Sequence, residues 1–201
     1  EKDMVLFGFL ILMDPPKKDA MPALERFKKL GVDIYVLTGD GPFVTGEVCR
    51  QLGVHNRSGR IIMGADIAGS DIDKMRKVVL ENNIFARLTP PDKLMIVKAL
   101  QANGHIVGFI GDGVNDAPSL KAADVGISVS NGADIAKEAS DVVLLRKSLN
   151  VVANGIHEGR STFGNIIKYI NNTISANFGN MFTLTIASLF LPFIPLLPSQ
   201  I

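Results

Sequence analysis

Gly111-Asp112-Gly113-Val114-Asn115-Asp116-Ala117-Pro118 places two carboxylates four residues apart on a glycine-rich turn, directly after the apolar run Ile106–Ile110. The end of a strand is where open α/β sheets put their active sites. Two carboxylates on such a turn can converge on one hard cation. Mg²⁺ suits the arrangement, because it takes one or two carboxylates and completes its shell with waters and phosphate oxygens. Asp-Gly alone would signify only a capped turn; an octapeptide with two Asp, one Asn and a helix-starting Pro says more.

Thr38-Gly39-Asp40 ends a second apolar run, Asp33–Leu37. A hydroxyl with free backbone N–H groups at a strand end, leading into a helix from Phe43, can bind phosphate. Lys93, in Ala86-Arg87-Leu88-Thr89-Pro90-Pro91-Asp92-Lys93, opens a helix after a third run and can neutralise phosphate charge. Each of these signals is weak alone. Together on one parallel sheet they describe a phosphate site beside a cation site.

The elements that must position these residues are legible across 4–145. Apolar runs at Val5–Met13, Asp33–Leu37, Ile61–Met63, Ile84–Ala86, Ile106–Ile110, Val125–Val129 and Val142–Leu145 read as strands. Most are continuous, as in parallel strands covered on both faces. Between them, amphipathic helices are expected at Ala20–Leu30, Phe43–Leu52, Ile72–Glu81, Asp92–Asn103, Ala117–Ala123 and Ala133–Ala139. Alternation of this kind predicts an α/β, Rossmann-like domain. The decapeptide Met4–Met13 reads as a buried strand and not a signal-peptide core, since Asp14-Pro15-Pro16-Lys17-Lys18 follows it and no small-residue cleavage site does.

Composition narrows the function classes. The 201 residues carry 21 basic and 20 acidic side chains, a formal charge of +1, which argues against a nucleic-acid binder and its basic face. One cysteine, Cys49, excludes a disulfide framework or a Cys-rich zinc site, and it reads as a small apolar residue on its helix. His55, His105 and His157 share no ligand-like spacing. Mean hydropathy is +0.25, high for a soluble protein. Its source is positional: the 33 residues after Lys168 carry no charge. A long helix over Val151–Leu191 is expected, standing in water over 150–171 and crossing a bilayer over 172–191. Pro192, Pro195 and Pro198 then end it in a loop.

Thr38-Gly39-Asp40, Lys93 and the Gly111–Pro118 octapeptide, in that order, resemble three of the four motifs of haloacid-dehalogenase-type phosphoryl-transfer domains. Asp14-Pro15-Pro16-Lys17, Phe85-Ala86-Arg87-Leu88-Thr89-Pro90 and Gly111–Pro118 resemble the P-type ATPases. Ser175-Ala176-Asn177-Phe178-Gly179-Asn180 and Phe190-Leu191-Pro192-Phe193 look most like the magnesium-transporting branch. The resemblance implies a haloacid-dehalogenase-type parallel sheet with flanking helices, followed by a stalk and transmembrane helix. It divides the chain into 1–149, the C-terminal part of a phosphorylation domain, a stalk at 150–171, a membrane helix at 172–191 and a proline-rich loop at 192–201. It also implies a multi-pass protein of the cell membrane with 1–149 in the cytoplasm.

The family's phosphorylated aspartate lies in an Asp-Lys-Thr-Gly-Thr motif, and that sequence does not occur here. The chain is therefore expected to be a piece of a longer pump, inactive alone. ATP would be the substrate and Mg²⁺ the cofactor, and the remaining pump domains would supply the nucleophile and the adenine site. By resemblance Asp112 is the Mg²⁺ ligand, with Asp116 and Asn115 shaping the site. Thr38, Gly39 and Lys93 hold the transferring phosphoryl oxygens, and Asp40 either orients its loop or touches nucleotide. Asn177 and Asn180 line the path of the transported cation, Mg²⁺ foremost, with calcium, protons or another cation as alternatives. On a helix Thr173, Asn177, Asn180 and Ser188 fall within an arc of roughly 80° that also holds Leu184; helix–helix packing explains that stripe as a whole slightly better. Two other classes compete with the pump: a soluble phosphatase of the same superfamily, and a non-catalytic, membrane-anchored interaction domain. The uncharged tail and the missing Asp-x-Asp motif speak against the first, and the intact motifs against the second.

Overall fold

The computed structural model describes residues 7, 8, 17 and 19–190. Phe7 and Gly8 aside, the expected strand Val5–Met13, the segment Asp14–Pro16 and the expected loop 192–201 lie outside the described residues. The chain forms two compact units, Glu1–Ala153 and Asn154–Ile201.

In the first unit, strands β1 (Val36–Leu37), β2 (Ile62–Met63), β3 (Ile84–Ala86), β4 (Gly108–Ile110), β5 (Val125–Val129) and β6 (Val142–Leu144) alternate with helices α1 (Ala20–Lys29), α2 (Pro42–Gln51), α3 (Gly64–Ile67), α4 (Ile72–Glu81), α5 (Pro90–Ala102), α6 (Ala117–Ala122) and α7 (Asp134–Glu138). Every strand pairing among the described residues is parallel. The single sheet that the alternation suggested is two three-stranded sheets among the described residues, ordered β1-β3-β2 and β4-β5-β6. β1 and β4 therefore each keep an edge that pairs with no described strand.

Packing explains the order within each sheet. β3 is buried throughout and sits at the centre of its sheet. Phe85 is fully buried with Met75, Val79 and Ile96 from α4 and α5. Burying a side chain of that size stabilises by about 1.5–3 kcal/mol. A second cluster joins Val97, Phe109, Leu120 and Ala136, and Leu37 and Val107 pack against both clusters. The residues just before β4 and the last residue of β1 thus share one core.

Local chemistry moves some boundaries. α5 begins two residues before its expected start because Pro90 and Pro91 occupy its first turn, where a missing N–H costs nothing. The Asp92 carboxylate accepts from both the N–H and the hydroxyl of Thr89, at 2.8 and 2.6 Å, and fixes that start. β4 is shorter than the run Ile106–Ile110 because the Val107 N–H donates to the Asp124 carboxylate at 2.8 Å instead of to a strand. α3 has no counterpart in the sequence expectations; its four residues are too few to show a period.

α8 (Leu149–Phe190) is one 42-residue helix, about 63 Å long. In the second unit the helix exposes Phe163, Tyr169, Phe178, Phe182 and Phe190. Asn177 is exposed and Asn180 half-buried. Thr183 and Thr185 donate their hydroxyls to carbonyls four residues back, and Ser188 to the one three back. No helix among the described residues is long and apolar enough to cross a membrane. The expected crossing at 172–191 is therefore not shown: three Asn, three Thr and two Ser dilute the hydropathy of the uncharged segment 172–190.

Candidate active site at the strand ends

The loop after β1 closes on itself. The Thr38 hydroxyl donates to Asp40 Oδ2 at 2.8 Å, and the Asp40 N–H donates back to Thr38 Oγ1 at 3.0 Å. The Thr38 N–H is spent on the Phe85 carbonyl of β3. Of the N–H groups expected to be available here, those of Thr38 and Asp40 both have protein acceptors. The loop is also stitched to the end of β3: Arg87 N–H donates to Asp40 O at 2.9 Å and Leu88 N–H to Thr38 O at 3.0 Å. Arg87 adopts φ 50°, a left-handed conformation that a non-glycine residue rarely takes and that clusters at functional sites. Sequence reasoning passed over Arg87 as a site feature, because nothing local signals its backbone conformation.

The loop after β4 is tighter. Gly111 closes the β4–β5 ladder by donating to Ile127 O. A Cβ at Gly111 would lie 2.7 Å from Asp116 Cβ, so only glycine lets the Val114–Asp116 turn fold back over the strand end. Asp116 Oδ2 accepts from the Gly113 N–H at 3.4 Å, while its Oδ1 accepts from Lys93 Nζ at 2.7 Å. That ion pair is well shielded, with 16% and 14% of the two side chains exposed. Lys93 is thereby brought from the first turn of α5 to the Gly111–Pro118 loop. Asn115 is exposed on the same turn.

Asp112 points outward and finds a partner 35 residues along the chain. Lys147 Nζ donates to its Oδ2 at 2.7 Å, both side chains being about half exposed. The Lys147 ammonium holds the Asp112 carboxyl below the usual carboxylate range, against the smaller opposing effect of burial. Lys147 lies between β6 and α8, and no spacing or motif in the sequence announces it.

No hydrogen bond among the described residues joins the 38–40 loop to Asp112, Asp116 or Lys93. No three His, Cys, Asp or Glu side chains converge on one point among them either. Two carboxylates on one loop, one reachable from solvent and held ionised by a cation, nevertheless fit Mg²⁺, which needs few protein ligands and keeps several waters.

Parallel strands that end in a hydroxyl–carboxylate loop and a double-carboxylate loop, with a lysine across from the second, define an α/β, hydrolase-like domain with its polar loops at the strand ends. Residues 3–124 match the haloacid dehalogenase-like hydrolase family, and 93–156 match a second model of the same description. The chain belongs to the haloacid dehalogenase-like hydrolases. It is 48% identical, over 98% of its length, to the magnesium-transporting P-type ATPase 1 of Salmonella typhimurium and to that of Escherichia coli K12. It is 37% identical over its full length to a calcium-transporting ATPase of Bacillus subtilis. The chain spans about a fifth of the length of these relatives, 22–23%. Among solved structures it resembles a zinc-transporting PIB-type ATPase in the E2.Pi state, at TM-score 0.65 and 29% identity over 88% of this chain and 24% of that one. It also resembles the catalytic domain of the CPx-ATPase CopB-B, at TM-score 0.53 and 28% identity over 70% of this chain and 45% of that one.

Proposed function

We propose that this chain is the part of an ATP-driven P-type cation pump, moving Mg²⁺, that supplies the metal- and phosphate-binding residues of the phosphorylation site. The observation that carries the reading is the double-carboxylate loop at the end of β4 with Lys93 delivered to it, in a chain whose relatives at 48% identity are magnesium-transporting ATPases.

Asp112 and Asp116 would hold Mg²⁺. Bound there, the ion neutralises phosphoryl charge and orients the transferring group. Lys93 keeps two N–H donors beyond the one given to Asp116, so it can bind a phosphoryl oxygen without leaving its partner. Thr38 and Gly39 bind the remaining oxygens, the Thr38 hydroxyl turning from Asp40 to the phosphate. Asp40 orients that loop, since its carboxylate and N–H both engage Thr38. Asn115 shapes the solvent side of the turn. This work is positioning and electrostatic stabilisation, which dominate phosphoryl transfer.

The nucleophile and the adenine site come from segments outside these residues. The edges of β1 and β4 that pair with no described strand, with Leu37 and Val107 sharing a core beside them, offer a place for a further parallel strand between the two phosphate-facing loops. Residues 1–149 face the cytoplasm. The uncharged half of α8, from 172 to its end at Phe190, enters the membrane among other helices of the pump, where Asn177 and Asn180 line the cation path. Thr183, Thr185 and Ser188 already satisfy their hydroxyls on the helix backbone, as an apolar environment requires.

The test is phosphoenzyme formation from ATP by the full-length protein at graded Mg²⁺, wild type against Asp112→Asn. Loss of phosphorylation, or a large rise in the Mg²⁺ required, is expected. Near-normal phosphorylation at ordinary Mg²⁺ refutes the assignment.

A further inference from the structure

Of the two carboxylates on the β4 loop, Asp116 has its counter-charge within the site, in Lys93. Asp112 does not. Its cation arrives from the connection between β6 and α8, where Lys147 Nζ lies 2.7 Å from Oδ2. The lysine's main chain is held independently of that contact. Lys17 Nζ donates to the Lys147 carbonyl at 2.8 Å, Ser148 N–H donates to Arg146 O at 2.8 Å, and Ser148 Oγ donates to Asp19 Oδ2 at 2.6 Å. The backbone is thus anchored towards the start of α1 while the ammonium reaches over to Asp112. A flexible four-carbon stem lets that ammonium swing away without moving the anchor. With 47% of Lys147 and 53% of Asp112 exposed, the pair is a weak one, open to exchange with a cation from solvent.

We infer that Lys147 is a built-in counter-cation of Asp112, which a divalent cation must displace, and that it sets the Mg²⁺ concentration at which the site fills. The inference rests on the reading of Asp112 as the Mg²⁺ ligand. A monovalent ammonium and a divalent ion cannot both lie against the same carboxylate oxygen without repulsion. Lys147 therefore raises the cation concentration needed, and it spares the metal-free protein two neighbouring carboxylates with only one cation between them. It acts on the metal ligand and not on the reacting atoms, so it is a positioning residue.

The experiment uses the full-length protein with Mg²⁺ alone and then with Mg²⁺ and ATP. In the first arm, amine acetylation of Lys147 is followed by mass spectrometry as Mg²⁺ is raised. In wild type the rate should increase with Mg²⁺ as the lysine is released; in Asp112→Asn it should be high from the start and indifferent to Mg²⁺. In the second arm, Lys147→Met and Lys147→Gln should lower the half-saturating Mg²⁺ for phosphoenzyme formation by about two- to fivefold, the range set by a half-exposed ion pair. Lys147→Arg, which keeps the charge, should stay at the wild-type value. Lys147 reactivity that ignores Mg²⁺, or unchanged half-saturation in both neutral variants, overturns the inference if Asp112→Asn still weakens the Mg²⁺ dependence. If Asp112→Asn leaves that dependence unchanged, the Mg²⁺-ligand reading itself falls.

Discussion

Lys93→Met removes the ammonium from a shielded pair while keeping most of the apolar stem. At 2.7 Å and an effective dielectric of 20, the gross attraction between Lys93 and Asp116 is about 6 kcal/mol. Desolvation of both ions offsets most of it, so the net worth of the intact pair is small. Removing one partner is different, because Asp116 then remains shielded and uncompensated. Fully buried pairs lose about 3–5 kcal/mol on such a change. With 14–16% of each side chain still exposed, about 2–3 kcal/mol is expected here. Asp116→Asn should cost a comparable amount, leaving Lys93 shielded without its carboxylate. The double variant should cost only about 1–2 kcal/mol, less than either single variant, giving a coupling energy of about 3 kcal/mol. Urea denaturation of the 201-residue chain and its three variants, followed by circular dichroism, measures all four corners of the cycle. A coupling energy below about 0.5 kcal/mol, the level of exposed ion pairs, would show that water screens the contact. The picture of Lys93 as a pre-aimed, low-dielectric cation would then be wrong.

Gly111→Ala should destabilise by about 1–3 kcal/mol, since its Cβ would lie 2.7 Å from Asp116 Cβ. Gly39→Ala, whose nearest atom would be Leu88 O at 3.7 Å, should stay near neutral in the same denaturation assay. The Lys147 ammonium lowers the Asp112 carboxyl pKa in the folded chain, so the pair's stabilisation is complete above the ordinary Asp value of about 3.9 and is lost as pH falls through the lowered one. Half exposure keeps that contribution below about 1 kcal/mol, and Lys147→Met should move the Asp112 carboxyl titration upward in carbon-detected NMR; an unmoved titration refutes the pairing in solution. Cys49 is 3% exposed and burial pushes its thiol pKa up, so a thiol reagent should modify it only as fast as the chain unfolds. The chain by itself should neither hydrolyse ATP nor form an acid-stable phosphoenzyme, because no Asp-Lys-Thr-Gly-Thr nucleophile is present. Steady hydrolysis abolished by Asp112→Asn would contradict this.

By itself the sequence determined where strands end and which loops could carry chemistry. β3, β5 and α4 occupy the residues that apolar continuity and helical spacing assign to them, because strands covered on both faces must be continuously apolar. The Gly111–Pro118 octapeptide was legible for a related reason. A turn that folds an Asp back onto a strand end leaves room only for glycine, and that requirement is written into consecutive residues. Tertiary structure alone decided what those loops touch. The split into β1-β3-β2 and β4-β5-β6 depends on which strands meet, which no local pattern encodes. Lys93 reaches Asp116 across 23 residues and Lys147 reaches Asp112 across 35, since a long charged side chain takes whichever partner the packed core brings within its reach. The left-handed Arg87 is imposed likewise, by the Asp40 and Thr38 carbonyls that the end of β3 must meet. The sequence thus laid out the carboxylates, and the packing of α5 on the sheets and the path from β6 into α8 supplied their cations.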